Sequence, residues 1–188
     1  QLGPMNHRLD TFLRPANRSP LHAAGSLDRM PVTALLDNVR SVGNVGSIFR
    51  TADAVGMGGL ILCGMTATPP RQDMEKTALG ATESVPWDYW RNTAEAVAAV
   101  KELGVTVAAL EQTDDAVTID DWPAPFPCCL IVGHEVEGVK SDILDLADVS
   151  VEIPMWGTKR SMNVAVSFGV AAFALRRIWL AGNRDGSP

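Results

Sequence analysis

Neither a glycine-rich dinucleotide fingerprint, GxGxxG, nor a phosphate loop, GxxxxGK[ST], occurs anywhere in the 188 residues. Their absence argues against a nicotinamide oxidoreductase, the common Rossmann-type methyltransferase and a P-loop NTPase. Charge is also scarce. Asp, Glu, Lys and Arg make up 20% of the chain, against about 25% in a typical soluble domain. That shortage predicts covered surface, as in a homodimer. Cysteine is limited to Cys63, Cys128 and Cys129, an odd number, each inside an apolar run. A disulfide framework is therefore excluded, and buried thiols in a reducing, cytoplasmic compartment are expected. His7, His22 and His134 supply no metal-ligand spacing, so no metal is expected. The longest apolar run, from Val164 to Leu175, falls short of a bilayer, and no basic leader precedes an apolar stretch. Neither a membrane span nor a signal peptide is expected.

The net charge is −6, which disfavours tight non-specific binding to nucleic acid but not a local basic patch. The charge is unevenly spread. Residues 1–31 carry Arg8, Arg14, Arg18 and Arg29 against Asp10 and Asp28, a balance of +2, which leaves −8 for the remainder. This segment is rich in Pro, Asn and Ser without periodicity and reads as an extended basic arm. A domain over 32–182 and a short tail over 183–188 complete the expected organisation.

From Val32 onward apolar strands and helices alternate. Strands are expected at Val32–Leu36, Leu60–Cys63, Val105–Leu110, Cys128–Val132 and Val149–Ile153, with a short extended piece at Ser84–Trp87. Helices are expected over Ser47–Met57, from a Thr68 cap and Pro69 toward Leu79, after a Thr93 cap to Gly104, from a Ser141 cap to Leu146, and over Ser161–Leu180. Asp114 to Pro127 reads as a ragged connection. Such strand–helix repetition predicts an α/β fold, a mostly parallel sheet with helices on both faces. Ligands then bind outside the carboxyl ends of the strands. On the final helix Val164, Phe168, Ala171, Ala172 and Leu175 offer an apolar surface for a dimer.

Three segments carry candidate chemistry. In 37-DNVRSVGNVGSIFRTADAVG-56, Asn44 is placed in a loop between Gly43 and Gly46, with Arg50 one turn into the following helix. Read alone, they also fit a loop amide and a surface cation. In 130-LIVGHEVEGV-139, Gly133 and Gly138 bracket Glu135, which is free to hold a positive partner such as Arg50 or the substrate. A plain strand–turn with an acidic surface is the competing reading. In 153-IPMWGTKRSMNVAVSFGVAAFAL-175, Ser161 has an ordinary role as a helix cap, whereas Asn163 at the start of an apolar helix asks for a partner. Lys159 and Arg160 are placed to meet a phosphate or to lie solvated. Met155 and Met162 read as wall residues.

In this order and at these separations, the three segments resemble the SpoU/TrmH branch of the SPOUT RNA 2′-O-ribose methyltransferases. The first motif is matched by Asn44, Gly46, Arg50, Thr51 and Ala52, and the second, GxExxG, by Gly133, Glu135 and Gly138. The third is matched by Ile153, Pro154, Met155, Gly157, Ser161, Met162, Asn163 and Val164, with Met162 in place of the usual Leu. The segment 76-KTALGATESVPW-87 is similar to the family's middle region. The resemblance spans roughly residues 32–180. It implies a SPOUT-type α/β knot, a C-terminal trefoil, which periodicity alone does not show.

The resemblance also implies that S-adenosylmethionine is held between the second and third motif loops. Leu110, Gly133, Ile153, Met155 and Met162 would form its wall. A homodimer is implied, with RNA, expected to be tRNA, as substrate and Lys159 and Arg160 beside it. Arg50, Asn44, Glu135, Ser161 and Asn163 form the implied catalytic set. Arg50 is expected to clamp a phosphate and steady alkoxide charge rather than act as a base, since a guanidinium stays protonated. An rRNA substrate, base methylation and a non-catalytic RNA-binding or assembly role are the alternatives.

Overall fold

A computed structural model describes residues 29–184, so most of the basic arm lies outside the described residues. Among the described residues there are seven strands, β1 (Met30–Asp37), β2 (Met57–Cys63), β3 (Trp87–Trp90), β4 (Thr106–Leu110), β5 (Val117–Thr118), β6 (Cys128–Val132) and β7 (Val149–Glu152). They form one sheet in the order β3-β2-β1-β6-β4-β7-β5, and every pairing in it is parallel. The helices are α1 (Val42–Ala54), α2 (Gln72–Ala78), α3 (Ala81–Ser84), α4 (Thr93–Glu102), α5 (Ser141–Leu144) and α6 (Val164–Arg184).

Strand side chains alternate between two cores, as the pleat requires. Val32, Ala34 and Leu36 of β1, with Cys128, Leu130 and Val132 of β6, face α1, α2 and α6. Leu35, Ile61, Cys63, Cys129 and Ile131 face α4 and α5. Coverage on both faces explains why these strands read as unbroken apolar runs. All three cysteines are free and buried.

Several helix starts differ from the sequence expectation. α1 begins at Val42, because the Ser41 hydroxyl accepts the Asn44 N–H at 3.3 Å and caps the helix. Asn44 therefore lies in the first helical turn, not in a loop. Gly46 serves a close approach instead of a turn: a Cβ there would lie 2.6 Å from the Met74 carbonyl oxygen of α2. The helix expected to open at Thr68–Pro69 opens at Gln72, since a proline followed by Pro70 disfavours helical backbone at 69. Ser84, expected in an extended piece, closes α3, and β3 runs from Trp87. Asn92 caps α4 in place of Thr93, whose buried hydroxyl instead donates to Asp37 Oδ1 at 2.6 Å. α5 follows Lys140 and is a single turn. The expected connection over 114–127 contains the short strand β5.

α6 corrects two further expectations. It begins at Val164, and its first amides are capped by Asn163, not by Ser161: Asn163 Oδ1 accepts from Ala165 N (2.9 Å) and Val166 N (3.3 Å). Asn163 is exposed, so burial is not what calls for its partners. The stretch Val164–Asn183 is long and apolar enough to cross a bilayer, with a mean hydropathy of 1.6. An uninterrupted run misses this because it stops at Arg176. One face, Phe168, Ala171, Ala172 and Leu175, is buried in the first core. Those four residues, expected on a dimer surface along with the partly buried Val164, are unavailable for it. The exposed apolar stripe of α6 is Val166, Val170, Phe173 and Leu180.

Candidate active site

The carboxyl ends of β4, β6 and β7 open into three loops around a cleft of about 220 Å³. Leu110, Val132, Ile153, Met155, Met162 and Val164 give it apolar walls, while Glu111, Glu135, Glu137 and Glu152 give it a negative lining. Arg160 and Ser161 stand at its margin. All five expected wall residues, Leu110, Gly133, Ile153, Met155 and Met162, line this cleft.

The loop after β6 is closed by its own backbone. His134 N donates to the Gly138 carbonyl at 3.0 Å, and Gly138 N returns to the His134 carbonyl at 2.9 Å. A Cβ on Gly133 would collide with the backbone of Gly138 and Val139, and one on Gly138 with the Glu111 carboxylate. Gly138 also has φ +68°, a conformation that disfavours a side chain. His134 braces the turn, because its Nδ1 accepts the Val136 and Glu137 N–H groups at 3.1 and 3.3 Å. Glu111 pins the same loop by accepting Val139 N at 3.0 Å. Sequence reasoning missed Glu111. The available signal was an acidic residue directly after an apolar strand.

Hydrogen bonds join the three sequence segments. Asn44 Nδ2 donates to Glu135 Oε1 at 3.1 Å, and Asn163 Nδ2 donates to Asn44 Oδ1 at 3.1 Å. The Glu135 carboxylate also accepts Ser41 N at 2.8 Å and Arg40 N at 3.2 Å, just ahead of α1. Partial burial opposes ionisation of Glu135. The backbone donors, Ser41 foremost, and the Asn44 amide outweigh it and hold the carboxyl below the ordinary glutamate value. Glu135 therefore does not hold Arg50, because its oxygens are taken by backbone amides and Asn44.

Arg50 is exposed on the last half of α1, and among the described residues its guanidinium has no hydrogen bond or ion pair. It does not line the cleft. Lys159, Arg160 and Ser161 are likewise exposed, and no partner holds them among the described residues. Burial pushes the thiols up, Cys128 to about 12, which leaves them as inert packing groups. Among the described residues no group of three or more His, Cys, Asp or Glu side chains is arranged to hold a metal ion.

A fully parallel sheet whose late strands end in loops around a cleft, tied by an amide–carboxylate bridge to the helix after the first strand, defines an α/β protein with a ligand site at the carboxyl edge of its sheet. The sequence model of the SpoU rRNA Methylase family matches residues 31–173, and the chain belongs to that family. It is 29% identical over 170 residues to the 23S rRNA (guanosine-2′-O-)-methyltransferase RlmB of Neisseria meningitidis, covering 86% of this chain and 66% of that one. It superposes on the SpoU methyltransferase AviRb from Streptomyces viridochromogenes, solved with AdoMet, with a TM-score of 0.74 at 28% identity, covering 83% of this chain and 65% of that one. The A. aeolicus TrmH/SpoU tRNA modifying enzyme gives a TM-score of 0.74 at 25% identity, covering 94% of this chain and 83% of that one. Against the curated relatives it matches, the chain spans 59%, 66% and 62% of their lengths.

Proposed function

We propose that this protein transfers a methyl group from S-adenosylmethionine to a ribose 2′-hydroxyl of RNA. The observation that carries the proposal is the Glu135–Asn44–Asn163 bridge. It brings residues separated by 91 and 119 positions to the lip of one cleft. Family membership, the 2′-O activity named for RlmB and the AdoMet held by AviRb support the same reading.

The residues present suit this cofactor. A sulfonium and an ammonium are cationic, and Glu111, Glu135, Glu137 and Glu152 make the cleft negative. Met155, Met162, Leu110 and Ile153 offer apolar contact, and the 133–138 loop brings backbone groups close. Arg160 is placed for a carboxylate or a phosphate. When bound, the cofactor supplies an already activated methyl group, so what the protein must add is orientation and charge.

Glu135 is a poor general base, because its oxygens already accept three donors and its carboxyl is held ionised. Its role is to lock the start of α1 against the β6 loop, with Asn44 carrying the tie to Asn163. That lock sets the direction of α1 and hence of Arg50. The Arg50 guanidinium, which has no partner among the described residues, binds the RNA phosphate beside the target ribose and stabilises negative charge developing on the 2′-oxygen. Ser161 and Lys159 extend the anion-facing rim.

Within this reading the substrate is a tRNA. The likeness to the A. aeolicus tRNA modifying enzyme, which extends over nearly the whole chain, supports that choice. The active form is a homodimer that covers the Val166, Val170, Phe173 and Leu180 stripe, and the three buried thiols support a reducing, cytoplasmic setting. Sedimentation at micromolar concentration is expected to give twice 20.1 kDa; a monomer would remove the dimer from the account. The decisive experiment supplies labelled cofactor and total RNA from a strain lacking the gene, and maps the label by mass spectrometry. The expected product is a 2′-O-methyl ribose in a tRNA. Label on rRNA would correct the substrate, and label on a base, or none, would overturn the activity.

A further inference from the structure

A second cleft, of roughly 570 Å³, lies away from the glycine loops, between the segment after β2 and the edge strand β3. Its lining combines Trp87 and Tyr89 with Met65, Ala67 and Arg71. Trp87 and Tyr89 stand opposite Leu60 and Leu62 in register and so share one face of the sheet. Both remain half-buried at the sheet edge. Met65 is 62% exposed. Tyr89 is fixed by its hydroxyl, which donates to the Gly64 carbonyl at 2.9 Å. Trp87 and Tyr89 pack on the first core and, with the exposed Met65 thioether, leave a partly open aromatic edge in a cleft also lined by Gly64, Thr66 and Thr68.

Arg40, Arg71 and Arg91 follow β1, β2 and β3, three adjacent strands, at the same edge of the sheet. Arg71 is paired with Asp73 at 3.0 Å. Arg40 and Arg91 are exposed, and among the described residues their guanidinium groups have no partner. Three hydrogen bonds, joined through the backbone of residues 38–40 and 64–65, connect this edge to the first cleft. Glu135 holds Arg40 N, Asn38 Oδ1 accepts Met65 N at 2.9 Å, and Gly64 N donates to the Trp90 carbonyl at 3.0 Å, one residue before Arg91. Unpaired cations spaced along a path, ending at an aromatic surface, form the arrangement that binds single-stranded nucleic acid: phosphates on the charges and a base on the ring faces.

We infer that the Trp87–Tyr89 cleft binds a nucleobase of the RNA that flanks the modified nucleotide, with Arg40 and Arg91 on the intervening phosphates. This deepens the proposed function and rests on its assignment of RNA as the substrate. The site acts on RNA affinity and on the choice of RNA, and takes no part in methyl transfer or cofactor binding.

The test uses the full chain with unfractionated tRNA and, separately, an rRNA pool. Trp87→Leu removes most of the stacking surface, and Met65→Glu places a negative charge on an exposed position that does not disturb the core. Arg91→Ala removes one phosphate contact. Losing one stacked base is expected to weaken RNA binding roughly 5- to 150-fold, while S-adenosylmethionine affinity stays unchanged. Arg91→Ala is expected to reduce the slope of log affinity against log salt by about 0.7. Ultraviolet cross-linking of the unaltered protein to the same RNA, followed by mass spectrometry, is expected to mark peptides holding residues 64–71 or 87–91. Unchanged RNA affinity in both Met65→Glu and Arg91→Ala, or cross-links confined to other segments, would overturn the inference. Binding and cross-linking need no turnover. A protein that binds RNA at this cleft but methylates nothing would sink the proposed activity and leave this inference standing.

Discussion

The two halves of the sheet's carboxyl edge differ in the charge they present. Beyond β4, β6 and β7 the cleft is lined by Glu111, Glu135, Glu137 and Glu152. Beyond β1, β2 and β3 come Arg40, Arg71 and Arg91, with Arg50 exposed on the helix between β1 and β2. The acidic side is built largely from backbone, in a loop where Gly133 and Gly138 leave no room for a Cβ. The basic side is built from exposed side chains, most of them unpaired. Under the proposed function, the contrast accounts for how an acidic chain with a net charge of −6 would handle a polyanion: a cationic small molecule is assigned to one half and the RNA to the other. Glu135 and Asn44 sit on the seam and hold the halves in register.

Removing the charge assigned to the reaction should have the largest effect. Arg50→Ala is expected to lower the methyl-transfer rate roughly 10²–10³-fold, the usual loss for one oriented donor to developing charge. Single-turnover kinetics at saturating RNA measure it, and a loss below about threefold would take Arg50 out of the reaction. Cutting the seam itself should cost less. Asn44→Ala removes the hydrogen bonds to Glu135 and from Asn163, which predicts a loss of about 1–2 kcal/mol of stability and a fall of roughly 2–8 °C in Tm. An unchanged melting curve would mean that the bridge does not hold the two halves together.

The smallest effect concerns pH. The Glu135 carboxyl is held below its unfolded value, so the stability it contributes is present above the ordinary glutamate value, about 4.3, and is lost as pH falls through the folded value. Glu135→Gln should therefore flatten the acid limb of a plot of stability against pH, and change little near neutrality beyond the loss of the charged acceptor. An identical acid limb in the variant would show that other carboxylates carry it. Asp148, which is also held low against its burial by Lys101 and the Val107 N–H, is the first of these to test.

The acidic half was far more legible in the sequence than the basic half. Apolar runs ending in glycine-bearing loops place β6 and β7, and the residues that the family resemblance implied as a cofactor wall, Leu110, Gly133, Ile153, Met155 and Met162, line one cleft. The parallel sheet followed from the same alternation of apolar strands and helices. Helix starts were less legible, because caps compete locally. Thr93 has the right chemistry for a cap but is drawn to Asp37, and Ser161 yields to Asn163. The partners of Glu135 were not legible either, since two of its three donors are backbone amides, which carry no residue signature. The aromatic cleft at β3 was missed because Trp87 read only as the end of a short extended piece and Tyr89 carried no motif, and nothing in the sequence brings Met65 and Arg71 beside them.

The separation of the two halves is tested most directly by titrating S-adenosylmethionine calorimetrically into Arg50→Ala and Gly133→Val side by side, with circular dichroism to confirm that both fold. Arg50→Ala is expected to bind the cofactor as the unaltered protein does while failing to methylate RNA. Gly133→Val, whose new side chain would occupy the space of the Gly138 backbone, is expected to lose cofactor binding while still retaining RNA on a filter. Cofactor affinity lost in Arg50→Ala, or kept in a folded Gly133→Val protein, would contradict the assignment of one ligand to each half.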